Sequence, residues 1–472
     1  MLPPRNPSLR RALGTLLATV TLTVTPVVTP TALAAGPAQA GPAVVEQDVT
    51  FSGSGGPTLH GTVLAPAEPA AARRPAMVMV HGSGRVSRDG YRAEAEAFAR
   101  SGIVTLIYDK RPKASRSDVD FGLLADDALA GLRALRSRAD VDPDRVGLWG
   151  VSEGGWVAPL AASRTAEVAF VVTVGAAGVA PERQQSWNLV NRLAAAGVSG
   201  SLVDTVSRTA LGLVVGAGLF PEAGYDPAPV LARVTRPVLG LWGELDRVVP
   251  GAESLRLFRE SLDAAGNRRY ALGSVPGADH TMRLSPDGFR RGDEVSPAYL
   301  ERVSSWVHGL AGTTAAVEVG TPARQERDSA PVEPGSPAAH LVAVAVLLVA
   351  FGGYGAGAAV RRLRGRRGAP PARRAARVLA TTGLLAVLGL FAYLGQLSAT
   401  NARNPGAVLL GRPLPWLGLQ LLAVAVVVAA MITAWGLWRA RSEPGHRLRL
   451  GLLVAGGVVF VPWAVHWGLL LP

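Results

Sequence analysis

The chain has 472 residues, too many for one ordinary domain, and no cysteine, which excludes disulfides, thiolate metal sites and a cysteine nucleophile. Its formal charge is +13, but residues 361–449 hold fourteen arginines against a single acid, Glu443, and account for all of it. Residues 41–360 carry a net charge of −3, so neither a basic binding surface nor a nucleic-acid partner is expected.

Arg5, Arg10 and Arg11 precede an apolar stretch from Leu13 to Val28, and small-residue triplets follow at Ala32-Leu33-Ala34 and Ala38-Gln39-Ala40. This order is expected of a secretory signal peptide over residues 1–40, an uncleaved signal anchor being the competing reading. From about residue 43 to 310, short β-branched runs alternate with longer helical patterns, which predicts a mostly parallel sheet with helices on both faces. Strands are expected at Ala76–Val80, Ile103–Tyr108, Arg145–Trp149, Ala169–Val174, Pro237–Trp242 and Tyr270–Ser274, after an antiparallel opening hairpin near Val44–Phe51 and Leu59–Leu64. Helices are expected at Arg92–Ser101, Leu123–Arg138, Gly154–Ser163, Ser254–Ala265 and Ala298–Leu310. Residues 181–234 interrupt the alternation with Trp187, Leu189, Leu193, Leu202, Val206 and Leu213 at helical spacing. An insertion there lies above the carboxyl ends of the strands, where open α/β sheets bind ligands, and reads as a helical lid lining a substrate pocket.

Gly150-Val151-Ser152-Glu153-Gly154-Gly155 follows one apolar strand and opens a helix. A G-x-S-x-G in that context makes a sharp turn that lifts the Ser152 hydroxyl above the sheet, with Gly150 and Gly154 leaving room for it. His81-Gly82-Ser83-Gly84 follows an earlier strand, where the backbone N–H groups of Ser83 and Glu153 are expected to bind an oxyanion. His81 and Gly82 shape that loop. His81 precedes Ser152 and is read as an orienting residue rather than a base. Gly243-Glu244-Leu245-Asp246 supplies Asp246 as the acid, with Glu244 in reserve, and Gly277-Ala278-Asp279-His280 supplies His280 as the base. This chemistry needs no metal and no organic cofactor.

The HGSG loop, Tyr108-Asp109-Lys110-Arg111, Asp142-Pro143-Asp144-Arg145, GVSEGG, GELD and GADH, in this order, resemble the bacterial α/β-hydrolase superfamily over residues 43–310. The likeness is to its dienelactone-hydrolase and serine-aminopeptidase-like branch. The resemblance implies an eight-stranded sheet, an α/β-hydrolase fold, and Ser152, Asp246 and His280 as a catalytic triad. It also implies substrates among carboxylic esters, thioesters or peptides. Arg111-Pro112-Lys113-Ala114 departs from the glycine-rich continuation common in relatives.

Residues 311–340 are rich in Pro, Ala, Thr and charge, without apolar periodicity, and read as a flexible linker. Residues 341–472 then hold four uncharged apolar runs, Leu341–Val360, Val378–Leu397, Leu414–Trp438 and Leu450–Leu471. At about 1.5 Å per residue each spans about 30 Å of bilayer, so an all-α transmembrane bundle of four helices is expected, with the lipid bilayer as partner. Eight arginines at 361–377 and Arg439, Arg441, Arg447 and Arg449 mark two cytoplasmic loops, which puts the hydrolase part outside. Gly353-Tyr354-Gly355-Ala356-Gly357-Ala358 fits a loose dinucleotide fingerprint, but it lies in a membrane run. Gly353 and Gly357 read instead as a helix-packing face. His466 is the only ionisable side chain well inside a run.

The organisation expected is 1–40 signal peptide, 41–310 hydrolase, 311–340 linker and 341–472 membrane region. The function expected is extracytoplasmic hydrolysis of a small, lipid or cell-envelope ester through an acyl-enzyme on Ser152. A peptidase or acyltransferase using the same residues, or a non-catalytic membrane sensor, are the rival readings.

Overall fold

A computed structural model describes residues 42–69, 71–84, 87–111, 120–310, 317–319, 325, 328–365, 373–439 and 444–472. The leader and Pro112–Ala114 lie outside them. The sheet opens with the antiparallel pair β1 (Val44–Ser52) and β2 (Thr58–Pro66). Then follow β3 (Arg74–Val80), helix α1 (Arg92–Arg100), β4 (Val104–Tyr108), α2 (Phe121–Arg136), β5 (Val141–Val151), α3 (Gly154–Ala162) and β6 (Val171–Val174). The interior strands are continuous apolar runs because both faces are covered: β4, β6 and β7 (Val238–Gly243) are buried at every position. Beyond β7 come α8 (Gly251–Ala264), β8 (Tyr270–Val275) and α9 (Pro297–Gly309), the numbers α4 to α7 belonging to the insertion described below. With β9 at Val317–Val319, strand order is β1-β2-β4-β3-β5-β6-β7-β8-β9, with every pair from β4 onward parallel.

Helices α2, α3 and α8 bury Leu124, Leu132, Trp156, Leu255 and Phe258 against one face of the sheet. On the other face α1 and α9 bury Phe98, Tyr299 and Val303. Asp120 starts α2 by accepting from the N–H groups of Gly122 and Leu123, at 2.7 and 3.2 Å, and Ser296 with Pro297 starts α9.

The sheet has a ninth strand where eight were expected. Strand β9 (Val317–Val319) pairs in parallel with β8, inside the segment read as a flexible linker. The last part of that segment is also held: the Ser329 N–H donates to Glu253 at 2.8 Å, and the Gly335 N–H donates to the carbonyl of Gly212 at 2.8 Å. Composition shows that a stretch lacks an apolar face of its own. It does not show that neighbouring elements will supply its backbone partners.

Residues 181–234 form α4 (Pro181–Ala195), α5 (Ser201–Asp204), a π-helical turn Thr205–Ala210, α6 (Leu211–Gly216) and α7 (Ala228–Leu231). The apolar face expected to line a substrate pocket is used elsewhere. Leu189, Leu193, Leu202 and Val206 are buried in one cluster with Phe351, Tyr393, Trp463 and Trp467 of the C-terminal helices. Those helices are α10 (Pro337–Leu363), α11 (Arg373–Ala399), α12 (Leu414–Arg439) and α13 (Pro444–His466), all long and apolar enough to cross a membrane. Polar contacts complete the junction. The Ser201 N–H donates to the carbonyl of Pro472 at 3.0 Å, Thr205 Oγ1 to that of Trp467 at 3.0 Å, and Gln185 Nε2 to Asn401 Oδ1 at 2.9 Å.

Two further expectations change. Among the described residues a Cβ on Gly353 would meet nothing within 4 Å, and one on Gly357 would meet only Arg449 of α13; the three line a groove of about 680 Å³ between α10 and α13. His466 ends α13 rather than lying well inside it, and its Nε2 is 3.1 Å from Nε2 of His340 in the first turn of α10. Both histidines sit at the bundle end that meets the insertion, opposite Arg361, Arg362, Arg439 and Arg447.

Leu202 is fully buried at this junction, so Leu202→Ala should lower the unfolding free energy of the full chain by about 2–5 kcal/mol, whereas Leu219→Ala, at a side chain 73% exposed, should be nearly neutral. Denaturant titration in detergent, comparing midpoints, checks this.

Candidate functional site

The carboxyl ends of β3, β5, β6, β7 and β8 lie side by side, and the loops leaving them carry every site residue singled out in the sequence. Ser152 follows β5 with φ +54°, a left-handed conformation costly for a non-glycine residue. Its N–H is held by the carbonyl of Val174 at 2.8 Å, and its own carbonyl accepts from Gly155 at 2.8 Å. The turn closes only because its flanks are glycine. A Cβ on Gly150 would come 2.0 Å from the carbonyl oxygen of Gly154, and one on Gly154 would come 2.3 Å from that of Val80.

The loop after β3 packs against this elbow: a Cβ on Gly82 would lie 3.5 Å from Cβ of Ser152. His81 is buried, bonded through Nε2 to the carbonyl of Tyr108 and set between the rings of Tyr91 and Tyr108. Burial, against the raising effect of that hydrogen bond, pushes its pKa down to about 4, so it is neutral and orients the loop. Ser83 comes next, exposed, with Gly84 at φ +93°. Glu153 begins the turn into α3 in helical conformation, which aims its N–H with the first helical N–H groups.

Sequence reasoning used Glu153 only for its backbone and missed its side chain. The carboxylate is 3% exposed and ion-paired with Lys110, whose Nζ also donates to the carbonyl of Gly82 at 2.9 Å. Lys110 thereby ties the elbow to the loop after β3. The available signal was its place directly after β4, the strand beside β3. Arg111, next along, pairs with buried Asp127, which accepts at 2.9 Å from the Ser54 N–H.

Asp246 leaves β7 on a tight turn. Its Oδ1 accepts from Val248 and Val249 at 2.8 and 2.9 Å, and its Oδ2 is 2.8 Å from Nδ1 of His280. Glu244 instead accepts from Gly277 at 2.9 Å and braces the histidine loop. That loop is further fixed by Asp279, buried, whose Oδ1 takes the N–H groups of Thr281 and Arg283 and the Thr281 hydroxyl. Met282 holds φ +62° within it. The His280 ring rests against Gly175, the residue after the Val174 that holds Ser152, so the histidine and the serine flank one strand end. With Nδ1–H donated to Asp246, the Nε2 lone pair is left free to accept a proton. Burial lowers the imidazole pKa, but the charge and hydrogen bond of Asp246 outweigh it, and the group titrates above 6.5. Trp156 and Trp242 anchor the neighbouring loop by donating from Nε1 to the carbonyls of Ala177 and Ala176, each at 2.7 Å. Among the described residues, no group of three or more His, Cys, Asp or Glu side chains could hold a metal ion.

The raised His280 pKa has a fixed sign. Any activity that needs the neutral imidazole should rise with pH through a midpoint above 6.5. The same shift adds stability that is full below the unfolded value and lost as pH rises through the folded one. Imidazole NMR should show the elevated midpoint in the wild type and a lower one in Asp246→Asn. Equal midpoints would sever the two residues.

The Prolyl oligopeptidase family matches residues 123–196, the stretch from α2 through Ser152 into α4. A thiohydrolase of Aspergillus aculeatus is 33% identical over 108 residues, 22% of this chain and 34% of that protein. A polyketide transferase of Stachybotrys chlorohalonatus is 27% identical over 191 residues, 39% of this chain and 60% of its own. The chain thus spans between about a third and three fifths of these curated relatives. A putative dienelactone hydrolase from Klebsiella pneumoniae has 16% identity and a TM-score of 0.41, covering 56% of this chain and 99% of that one. With its mostly parallel sheet, strand order 1-2-4-3-5-6-7-8 and a serine elbow after the fifth strand, the segment from β1 to α9 has the α/β-hydrolase fold.

Proposed function

We propose that the protein is a membrane-anchored serine hydrolase that cleaves carboxylic esters or thioesters through an acyl-enzyme. The observation that carries the reading is the 2.8 Å contact between His280 and Asp246, beside a serine held at φ +54°. Ser152 Oγ attacks the acyl carbonyl while His280 Nε2 takes its proton, and Asp246 stabilises the resulting imidazolium. The N–H groups of Ser83 and Glu153 meet the oxyanion, the second reinforced by the start of α3. His280 then protonates the leaving group, and a water deprotonated by the same imidazole releases the acid. The names thiohydrolase and polyketide transferase borne by relatives favour an acyl group as the moiety handled and keep an acceptor other than water as the second reading. The arginine-rich ends of the bundle, opposite the hydrolase domain, support an extracytoplasmic active site by the positive-inside bias.

Fluorophosphonate labelling tests the chemistry. It should use the full chain, because the insertion shares its core with the membrane helices. Wild type should take one adduct and Ser152→Ala none, and Asp246→Asn should turn over an ester roughly 10⁴-fold more slowly. A correctly folded wild type that takes no label would remove the hydrolase reading. Turnover that needs an added alcohol or amine would favour transfer.

Orientation is open to a direct test because the chain has no cysteine of its own. In intact cells a membrane-impermeant maleimide should label Glu68→Cys and leave Arg364→Cys unmodified. The reverse pattern would place the domain inside.

A further inference from the structure

Helix α4 touches the loop that carries Asp246: Gln184 Nε2 donates to the carbonyl of Val248 at 2.7 Å and Asn191 Nδ2 to that of Arg247 at 3.0 Å. On its other side the same insertion is buried on the bundle end formed by residues 401–413 and 466–472. The carboxyl edge of the sheet, which bears Ser152, is therefore the edge turned toward the bundle, with one helical layer between them.

The edge of that layer is apolar where the chain passes into the membrane. In α6, Gly212 and Gly216 are pressed against Glu333 and Gly335, a few residues before α10 begins at Pro337. Beside this contact Val214 and Leu219 are 37% and 73% exposed. At the same end of the bundle, the hairpin formed by Val408–Leu409 and Arg412–Pro413 leaves Leu409 and Leu410 53% and 90% exposed. A single exposed leucine needs no explanation. Four exposed apolar side chains at the level where a spanning helix leaves the bilayer are placed to dip into the headgroup boundary.

The geometry points to an acyl lipid of the facing leaflet, a long-chain ester drawn from the bilayer rather than from solution, as the substrate. This rests on the serine-hydrolase reading. The bond from the acyl carbon to its ester oxygen breaks as the bond to Ser152 Oγ forms, and the Ser152 proton leaves with the alcohol through His280. Water then supplies hydroxyl to the acyl carbon and a proton to His280, which returns it to Ser152 as the fatty acid departs. The apolar edge of the insertion acts before chemistry, by holding the domain at the interface.

The test uses the full chain in phosphatidylcholine vesicles, whose lack of net charge removes charge repulsion as a cause. A fluorogenic long-chain acyl ester dissolved in the vesicles is compared with water-soluble p-nitrophenyl butyrate. Leu219→Asp should slow the vesicle-borne ester roughly tenfold, the equivalent of losing one buried leucine. It should leave the soluble ester within about twofold, which also reports an intact fold. Leu410→Asp should behave alike. If both variants slow the two esters by the same factor, or leave the vesicle-borne rate unchanged, the lipid proposal fails. A fluorophosphonate adduct without turnover of the vesicle-borne ester overturns the lipid proposal alone. Absence of both adduct and turnover overturns the hydrolase reading beneath it.

Discussion

The close approach where the chain leaves β5 and turns at once into α3 governs the arrangement of everything near it. The carbonyl of Gly154 lies where a side chain on Gly150 would have to go, and the carbonyl of Val80 lies where one on Gly154 would go. Only with both Cβ atoms missing can β3, β5 and α3 come together, and their approach forces Ser152 into positive φ. The strain is of order 1–3 kcal/mol and is offset by the buried surfaces of β5 and α3 on either side. Once Ser152 is fixed, the parallel register fixes its surroundings. Val151 pairs with Val174, so the residue after Val174 becomes the rest on which His280 lies.

Charge placement around the elbow divides into two pairs of different character. Lys110 and Glu153 are almost fully buried, and such a pair gives little net stability when intact but costs about 3–5 kcal/mol if one member is removed. Its effect is positional, since Lys110 bonds at once to the helix start and to the loop after β3. Asp246 and His280 are tied differently. The carboxylate takes two backbone N–H groups on one oxygen and the imidazole on the other, so it is oriented before any substrate arrives. His81, more deeply buried and facing a carbonyl rather than a carboxylate, is pushed down to about 4 by burial instead of upward. Two histidines at the same edge of the sheet are driven apart by burial and by the groups beside them.

Much of this was legible in the sequence, for reasons that can be named. Runs such as Val104–Tyr108 and Val238–Gly243 are mostly apolar and buried throughout because parallel strands are covered twice. Ser152, Asp246 and His280 each follow such a run, so finding the strands found the loops. What periodicity cannot give is the identity of the surface across from a buried face. Leu189, Leu193, Leu202 and Val206 were recognised as a buried stripe and assigned to a pocket, whereas they pack on membrane helices more than 100 residues further along the chain. Gly353 and Gly357 have the spacing of a packing face, but only Arg449 of α13 approaches Gly357 and, among the described residues, nothing lies against Gly353. Lys110 was visible as part of a motif, but its role depends on Glu153, 43 residues away, which no local pattern encodes.

The junction between the insertion and the bundle gives the number of membrane helices a physical reason that anchoring does not. One span would secure the domain to a bilayer, but it could not cover the apolar faces of α4, α5 and α6 together. The contacts come from several helix ends at once: Asn401 after α11, Gln420 of α12, and Trp467 and Pro472 after α13 all bond to the insertion. A platform of four helix ends presents a surface wide enough to hold a helical layer in one orientation. Because α4 also bonds to the carbonyls of Arg247 and Val248, that orientation reaches the loop that holds Asp246. The bundle thus bears on how firmly the acid loop is supported, through one buried apolar stripe.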